Sequence, residues 1–182
     1  MSAPARRPSS LPGSDPQRDA ETLAGVVDLS LERRIRRVLQ HLSARDLKLA
    51  TAESCTGGLL ASLFTDVEGV SHVFDRGLVT YDPMAKCELL GIDPEVIERH
   101  TAVSREVAVA MAEGLLDDAN AQVGIAVTGF TGSGREPGLV HLAVARTGRP
   151  TVHRELHLGT VGRGAVRQGV LRGALQLLEE TL

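Results

Sequence analysis

The chain has 182 residues, 42% of them hydrophobic, with a net charge of -3 and an isoelectric point near 6.1. That size suits one compact domain with a sizeable core, and the mild acidity gives no global electrostatic reason to bind nucleic acid or an anionic membrane. Two cysteines, Cys55 and Cys87, are too few and too badly spaced for a disulfide framework or a zinc site, and no apolar run approaches the ~18 residues of a membrane helix, so a reducing, cytoplasmic setting is expected.

Met1 to Asp28 is rich in Ser, Pro, Arg and Ala, lacks the continuous apolar segment of a secretory signal, and is expected to be a disordered tail before a single domain over 29–182. From Ser30 to about Arg45, Leu31, Ile35, Val38, Leu39 and Leu42 share one helical stripe, with Ser30 as the expected N-cap and Arg33, Arg34, Arg36 and Arg37 on a solvated face. Leu47 to Ala52 reads as a buried strand, and Gly57 to about Val67 as a helix presenting Leu59, Leu60, Leu63 and Phe64. A strand is expected over Arg76 to Tyr81, and Pro83 suits the first turn of a helix carrying Lys86.

Ser104 caps a predicted helix to about Ala119 that turns Val107, Met111 and Leu115 inward, with Glu106 in its first turn. Val123 to Thr128 is a strand ending in a Gly-rich loop, Gly129 to Gly138. Leu139 to Ala145 and Val152 to Leu158 form a predicted antiparallel hairpin around the turn Thr147-Gly148-Arg149-Pro150. A long helix from Arg163 to Leu182 places Val166, Val170, Ala174, Leu175 and Leu178 on one side. Alternating strands and helices, with one hairpin added, predict a three-layer α/β/α sandwich around a mixed sheet. Apolar helix faces leave a homodimer open.

Two features carry chemistry. Ala52-Glu53-Ser54-Cys55-Thr56-Gly57-Gly58 puts hydroxyls and glycines where a strand becomes a helix, a place where free amides suit an oxyanion; an ordinary helix cap is the plainer alternative. The second is Lys86. Of 20 basic residues 18 are Arg, and only Lys48 and Lys86 are Lys. Arg cannot act as a neutral base, whereas a buried Lys can lose its proton and activate a Ser hydroxyl; a snorkelling surface Lys is the alternative. Tyr81, the only tyrosine, falls beside Lys86 at the strand end. The thiol of Cys55 is a weaker candidate nucleophile, and Glu53 is expected to orient the turn or contact a ribose. Of six histidines only His153 and His157 are spaced by four, on a strand, which opposes a shared metal face.

The strings Ala52-Glu53-Ser54-Cys55-Thr56-Gly57-Gly58, Phe74-Asp75-Arg76-Gly77-Leu78-Val79-Thr80-Tyr81, Ala85-Lys86, Leu89-Leu90-Gly91, Ala102-Val103-Ser104 and Val127-Thr128-Gly129 resemble the C-terminal domain of the competence and damage-inducible CinA proteins. The resemblance covers most of 29–182, and no counterpart of the molybdopterin-binding-like domain of full CinA proteins is expected. It implies a nicotinamide mononucleotide amidohydrolase without metal or organic cofactor, and no nucleic-acid or membrane partner is expected. It also implies Ser54 as nucleophile, Lys86 as base and Tyr81 in the catalytic group. Around them it implies a substrate pocket drawing on Glu53, Cys55, Thr56, Gly57, Gly58, Ser71, Arg76, Thr128, Gly129 and Arg163, with amides near Thr56 to Gly58 receiving the oxyanion.

Three departures from the family pattern fall in the pocket. Asp82-Pro83 replaces the usual Ser-Asn after the tyrosine. The Gly-rich loop is shortened to Phe130–Gly138, where Arg135 stands in for a lost cation. Val161-Gly162-Arg163 replaces Gly-Asp-Arg. These changes keep two alternatives open: a non-catalytic nucleotide-binding or protein-interaction module, and an amidohydrolase of another small amide.

Overall fold

The computed structural model describes residues 28–132 and 136–182. The expected tail up to residue 27, and Arg135, lie outside the described residues. In chain order the elements are α1 (Leu29–Ser43), β1 (Leu49–Glu53), α2 (Leu59–Thr65), a 3-10 turn (Ser71–Val73), β2 (Phe74–Val79), α3 (Pro83–Leu90), α4 (Pro94–His100), α5 (Arg105–Asp118), β3 (Val123–Gly129), β4 (Leu139–Arg146), β5 (Arg149–His157) and α6 (Arg163–Thr181).

The strands form one mixed sheet in the order β2-β1-β3-β4-β5, with β1 parallel to β2 and β3, and β4 antiparallel to both its neighbours. Leu49, Ile125, Leu142 and Val144 pack on one side with Leu39 and Leu42 of α1, Phe64 of α2 and Leu175 and Leu178 of α6. Ala50, Ala52, Ala126 and Ala143 pack on the other with Val107, Met111 and Leu115 of α5 and Leu90 of α3. Helices on both faces leave β1 no solvent side, so all five of its residues are buried. The predicted three-layer mixed sandwich is the observed one.

Local chemistry explains where the elements differ from expectation. Asp28, not Ser30, caps α1: its carboxyl accepts from the amides of Ser30 and Leu31 and from the Ser30 hydroxyl, and Arg172 of α6 pairs with its other oxygen. α2 starts two residues later than expected, because Gly57 and Gly58 sit at φ 65° and 94°, backbone that glycine adopts and a helix interior does not. Arg149 and Pro150 belong to β5 rather than the hairpin turn; β5 is an edge strand, where a missing N–H costs no ladder bond. α4 was not anticipated, although Asp93 caps it and Pro94 opens it.

The topology locates the site. From β1 the chain passes to β2 on one side and later to β3 on the other, so the connections diverge at the carboxyl end of β1. Open parallel sheets leave a crevice at such a point. Ser54 lies there: its amide donates to the Val127 carbonyl (3.0 Å), and the Thr80 amide donates to the Glu53 carbonyl (2.7 Å).

α3, which carries Lys86, is seated by a close backbone contact. A Cβ added at Gly114 of α5 would fall 2.0 Å from the carbonyl oxygen of Leu90, the last residue of α3. Alanine is favoured over glycine in a helix by ~1 kcal/mol, but the clash is with main chain that cannot rotate away. Gly114→Ala is therefore expected to lower stability by roughly 1–3 kcal/mol in denaturant unfolding, against the helix-propensity trend.

Candidate active site

A cleft of about 300 Å³ opens at the carboxyl ends of β1, β2 and β3. Ser54, Cys55, Tyr81, Lys86, Thr128, Gly129 and Arg163 lie on its wall, joined by Ala102 and Val103 and by Phe130, Thr131 and Gly132 of the shortened loop.

Lys86 is 1% exposed, on the inner face of α3. Asp82 caps that helix through the Met84 amide (2.8 Å) and Pro83 opens it, so Asp82-Pro83 is a helix-start device that points the fourth helical residue, Lys86, inward. The Lys86 ammonium Nζ donates to the carbonyl of Thr80 (2.6 Å), to Ser54 Oγ (3.3 Å) and to the carbonyl of Tyr81 (3.4 Å). Burial pushes its pKa down from the ordinary lysine value, opposed by the nearby Asp82 carboxylate. Once deprotonated, the amine can keep two N–H bonds to the carbonyls and turn its lone pair toward Ser54 Oγ. The burial separates this Lys from the snorkelling alternative.

Glu53 is fully buried behind the cleft, so it does not reach a ribose. Its carboxyl accepts from the amides of Gly58 (3.1 Å), Leu60 (3.0 Å) and Ala61 (2.7 Å), pinning the 54–58 turn to the start of α2. This corrects the expected oxyanion donors. The Gly58 amide is spent on Glu53 and that of Cys55 faces its own thiol, whereas no described hydrogen bond uses the amides of Thr56 or Gly57. Thr56, Gly57 and Gly58 shape the turn without lining the cleft. Arg167 of α6, also not anticipated, donates from Nε to the Cys55 carbonyl (2.9 Å) and so fixes the Cys55–Thr56 peptide plane.

Two expected pocket residues are elsewhere. Ser71 is exposed before β2, at the edge of the sheet opposite Ser54, because β1 and β2 run parallel and their starts pair through Leu49 and Phe74. Arg76 is mid-strand and committed to Asp75 (2.8 Å) and Asp118 (3.0 Å). Tyr81 is on the cleft rim, 64% exposed. Thr128 is buried and its hydroxyl donates to the Ala102 carbonyl (2.7 Å), tying the end of β3 to the 102–103 wall. Cys55 is buried and its thiol is pushed up to about 12, chiefly by desolvation, which removes it as a competing nucleophile.

Among the described residues no three or more His, Cys, Asp or Glu side chains are arranged to hold a metal ion, and no helix is long and apolar enough to cross a membrane. His141 of β4 and His153 of β5 stack on each other, with ring nitrogens 3.1 Å apart, away from the cleft wall.

Comparison with known proteins agrees with this architecture. A CinA-like protein of Akkermansia muciniphila is 46% identical over 143 residues, covering 76% of this chain and 34% of that protein. A CinA-like protein of Myxococcus xanthus is 41% identical over 150 residues, covering 80% and 35%. The chain thus spans about a third of the length of these curated relatives. The crystal structure of the competence/damage inducible protein CihA from Agrobacterium tumefaciens superposes with a TM-score of 0.80 at 39% identity, covering 82% of this chain and 94% of that one. A competence-damaged protein (CinA) superfamily structure from Escherichia coli gives 0.79 at 32% identity, covering 93% and 100%. The model of the CinA C-terminal domain matches residues 31–182, and the chain belongs to the CinA C-terminal domain family.

Proposed function

We infer that the chain hydrolyses the carboxamide of nicotinamide mononucleotide to nicotinate mononucleotide and ammonia. The observation that carries this reading is the buried Lys86 amine 3.3 Å from Ser54 Oγ, on the wall of a cleft of mononucleotide scale. In the proposed cycle neutral Lys86 takes the Ser54 proton as Oγ attacks the carboxamide carbon. The carbonyl oxygen becomes an oxyanion held by the open amides after Ser54, where Arg167 fixes the Cys55–Thr56 peptide plane. Lys86 then gives its proton to the departing nitrogen, the C–N bond breaks, and ammonia leaves an acyl-serine. Water attacks that ester with Lys86 again accepting the proton, and Ser54 Oγ departs with it.

Desolvation supports the base role, because a neutral amine must be populated near the working pH. The exposed rings of Tyr81 and Phe130, both on the cleft wall, support an aromatic substrate head. Arg163 supplies a cation for an anionic tail. The proposed partner is therefore a small pyridine nucleotide rather than a macromolecule.

Ammonia release from nicotinamide mononucleotide tests the reading. Lys86→Ala is expected to lose roughly 10²- to 10⁴-fold in kcat as general-base assistance disappears, and Ser54→Ala to lose the acyl-serine altogether by mass spectrometry. Full activity in both variants would sink the mechanism; tight binding without any turnover would favour the non-catalytic module, and ammonia from another amide alone would redirect the substrate.

The lowered Lys86 pKa sets the pH dependence. kcat/KM should climb as pH rises through that value, with its midpoint below the ordinary lysine value. The unfolded chain still holds this proton up to ~10.4 while the folded chain has released it. Stability of the wild type relative to Lys86→Met should therefore increase with pH across that window, measured by urea unfolding. A flat difference would mean that Lys86 titrates normally.

A further inference from the structure

A second polar cluster sits where β4 and β5 meet α5. Antiparallel pairing sets His141 opposite Glu155 and His153 opposite Ala143, whose small side chain faces α5. The two histidines are therefore diagonal neighbours on that face, a distance aromatic side chains can span. Their rings stack with centroids 5.3 Å apart, and His141 Nδ1 lies 3.1 Å from His153 Nε2. His141 is 6% exposed and His153 is half-buried.

This hydrogen bond counts protons. A bond between two imidazole nitrogens needs one proton in the gap and one lone pair to receive it. Two neutral rings satisfy that, and so does one neutral ring beside one charged ring. With both rings charged, two N–H groups point at each other and the bond is lost. The neighbouring charges bear on each step. From β5, Glu155 Oε2 is 3.7 Å from His141 Nδ1, and the other Glu155 oxygen is bonded to His157. From α5, Glu106 acts on both rings and Arg105 on His153, while Glu136 reaches His141 from the loop before β4. Glu106 also has His100 3.7 Å away. β3 offers only the uncharged Thr128 opposite His141. Burial pushes both imidazoles below the ordinary histidine value, and the charge of His141 pushes His153 further in the same direction.

The pair is also coupled to the cleft, because the Thr128 hydroxyl holds the Ala102 carbonyl and Ser104 caps α5 just beyond. We propose that His141 and His153 form a proton-operated latch, which holds the edge strand β5 to β4 and α5 and opens on uptake of a second proton. β5 is freed first, since it lies at the end of the sheet, and the 102–103 wall relaxes through Thr128. Histidines whose folded pKa lies below the unfolded ~6.5 stabilise the fold above that value and lose the contribution as pH falls. The latch rests on the paired rings and not on the amidohydrolase reading.

The test follows the imidazole nitrogens of the full chain by NMR from about pH 8 to about pH 4.5, together with amide exchange corrected for its intrinsic pH dependence. The two rings should titrate in coupled steps, the second below the ordinary histidine value. Across that second step exchange in β5 should rise roughly 10-fold or more while β1 stays protected. His153→Phe keeps a ring in the stack and removes the second proton, so the opening of β5 should vanish and the stability lost on acidification should shrink. Should that variant fail to fold, the wild-type titration and exchange decide alone. Independent titrations at the ordinary value overturn the latch, as does β5 exchange that rises only together with β1. Zinc that shifts both rings saturably at neutral pH would make them metal ligands and overturn it too. Neither readout uses ammonia release, so the latch and the amidohydrolase can fail separately.

Discussion

The Lys86 amine is held out of water between two main-chain carbonyls and the Ser54 hydroxyl, at the carboxyl edge of the sheet. Burying an amine is unfavourable unless it is paired or loses its charge, and among the described residues no carboxylate is bonded to it. The carbonyls of Thr80 and Tyr81 stabilise either protonation state by accepting N–H bonds. They fix the position of the nitrogen without locking it as a cation. An ion pair with Asp82 would have held the proton in place, but the Asp82 carboxyl is turned to the amide of Met84 instead.

The surrounding fold holds the serine as firmly as the amine. Extension of both parallel pairings past Glu53 fixes the backbone of residue 54, and the Glu53 carboxyl braces the following turn from behind. Arg167 reaches across from α6 to the same turn, so two layers of the sandwich meet at the residues after the serine. The amine arrives from the opposite layer on α3, whose last carbonyl rests against Gly114. Ser54 and Lys86 therefore approach from opposite faces of the sheet, and their distance depends on how the whole sandwich packs.

Much of this was legible in the sequence because it is periodic. The buried stripes Leu31, Ile35, Val38, Leu39, Leu42 and Val166, Val170, Ala174, Leu175, Leu178 gave two helices and their inner faces directly. The rarity of Lys pointed to Lys86 before any geometry, since of the two strongly basic side chains only Lys can give up its proton in a protein. What failed was non-periodic. Glu53 and Gly58 both belong to the motif, yet their hydrogen bond is set by a left-handed turn that no spacing rule encodes. Ser71 and Arg76 were expected in the pocket by resemblance, but strand direction carries them away. Arg167 is 112 positions from Cys55, beyond the reach of local pattern. α4 had a visible start signal in Asp93-Pro94 but is short and buries no residue completely, so its hydrophobic face is faint.

Cys55 directly follows the serine, where a sulfur nucleophile would ordinarily be the more easily ionised of the two. Its burial reverses that order and leaves almost no thiolate at neutral pH. The consequence is chemical selectivity within a single dipeptide: the raised thiol pKa disfavours the thiolate that alkylating agents and peroxides consume.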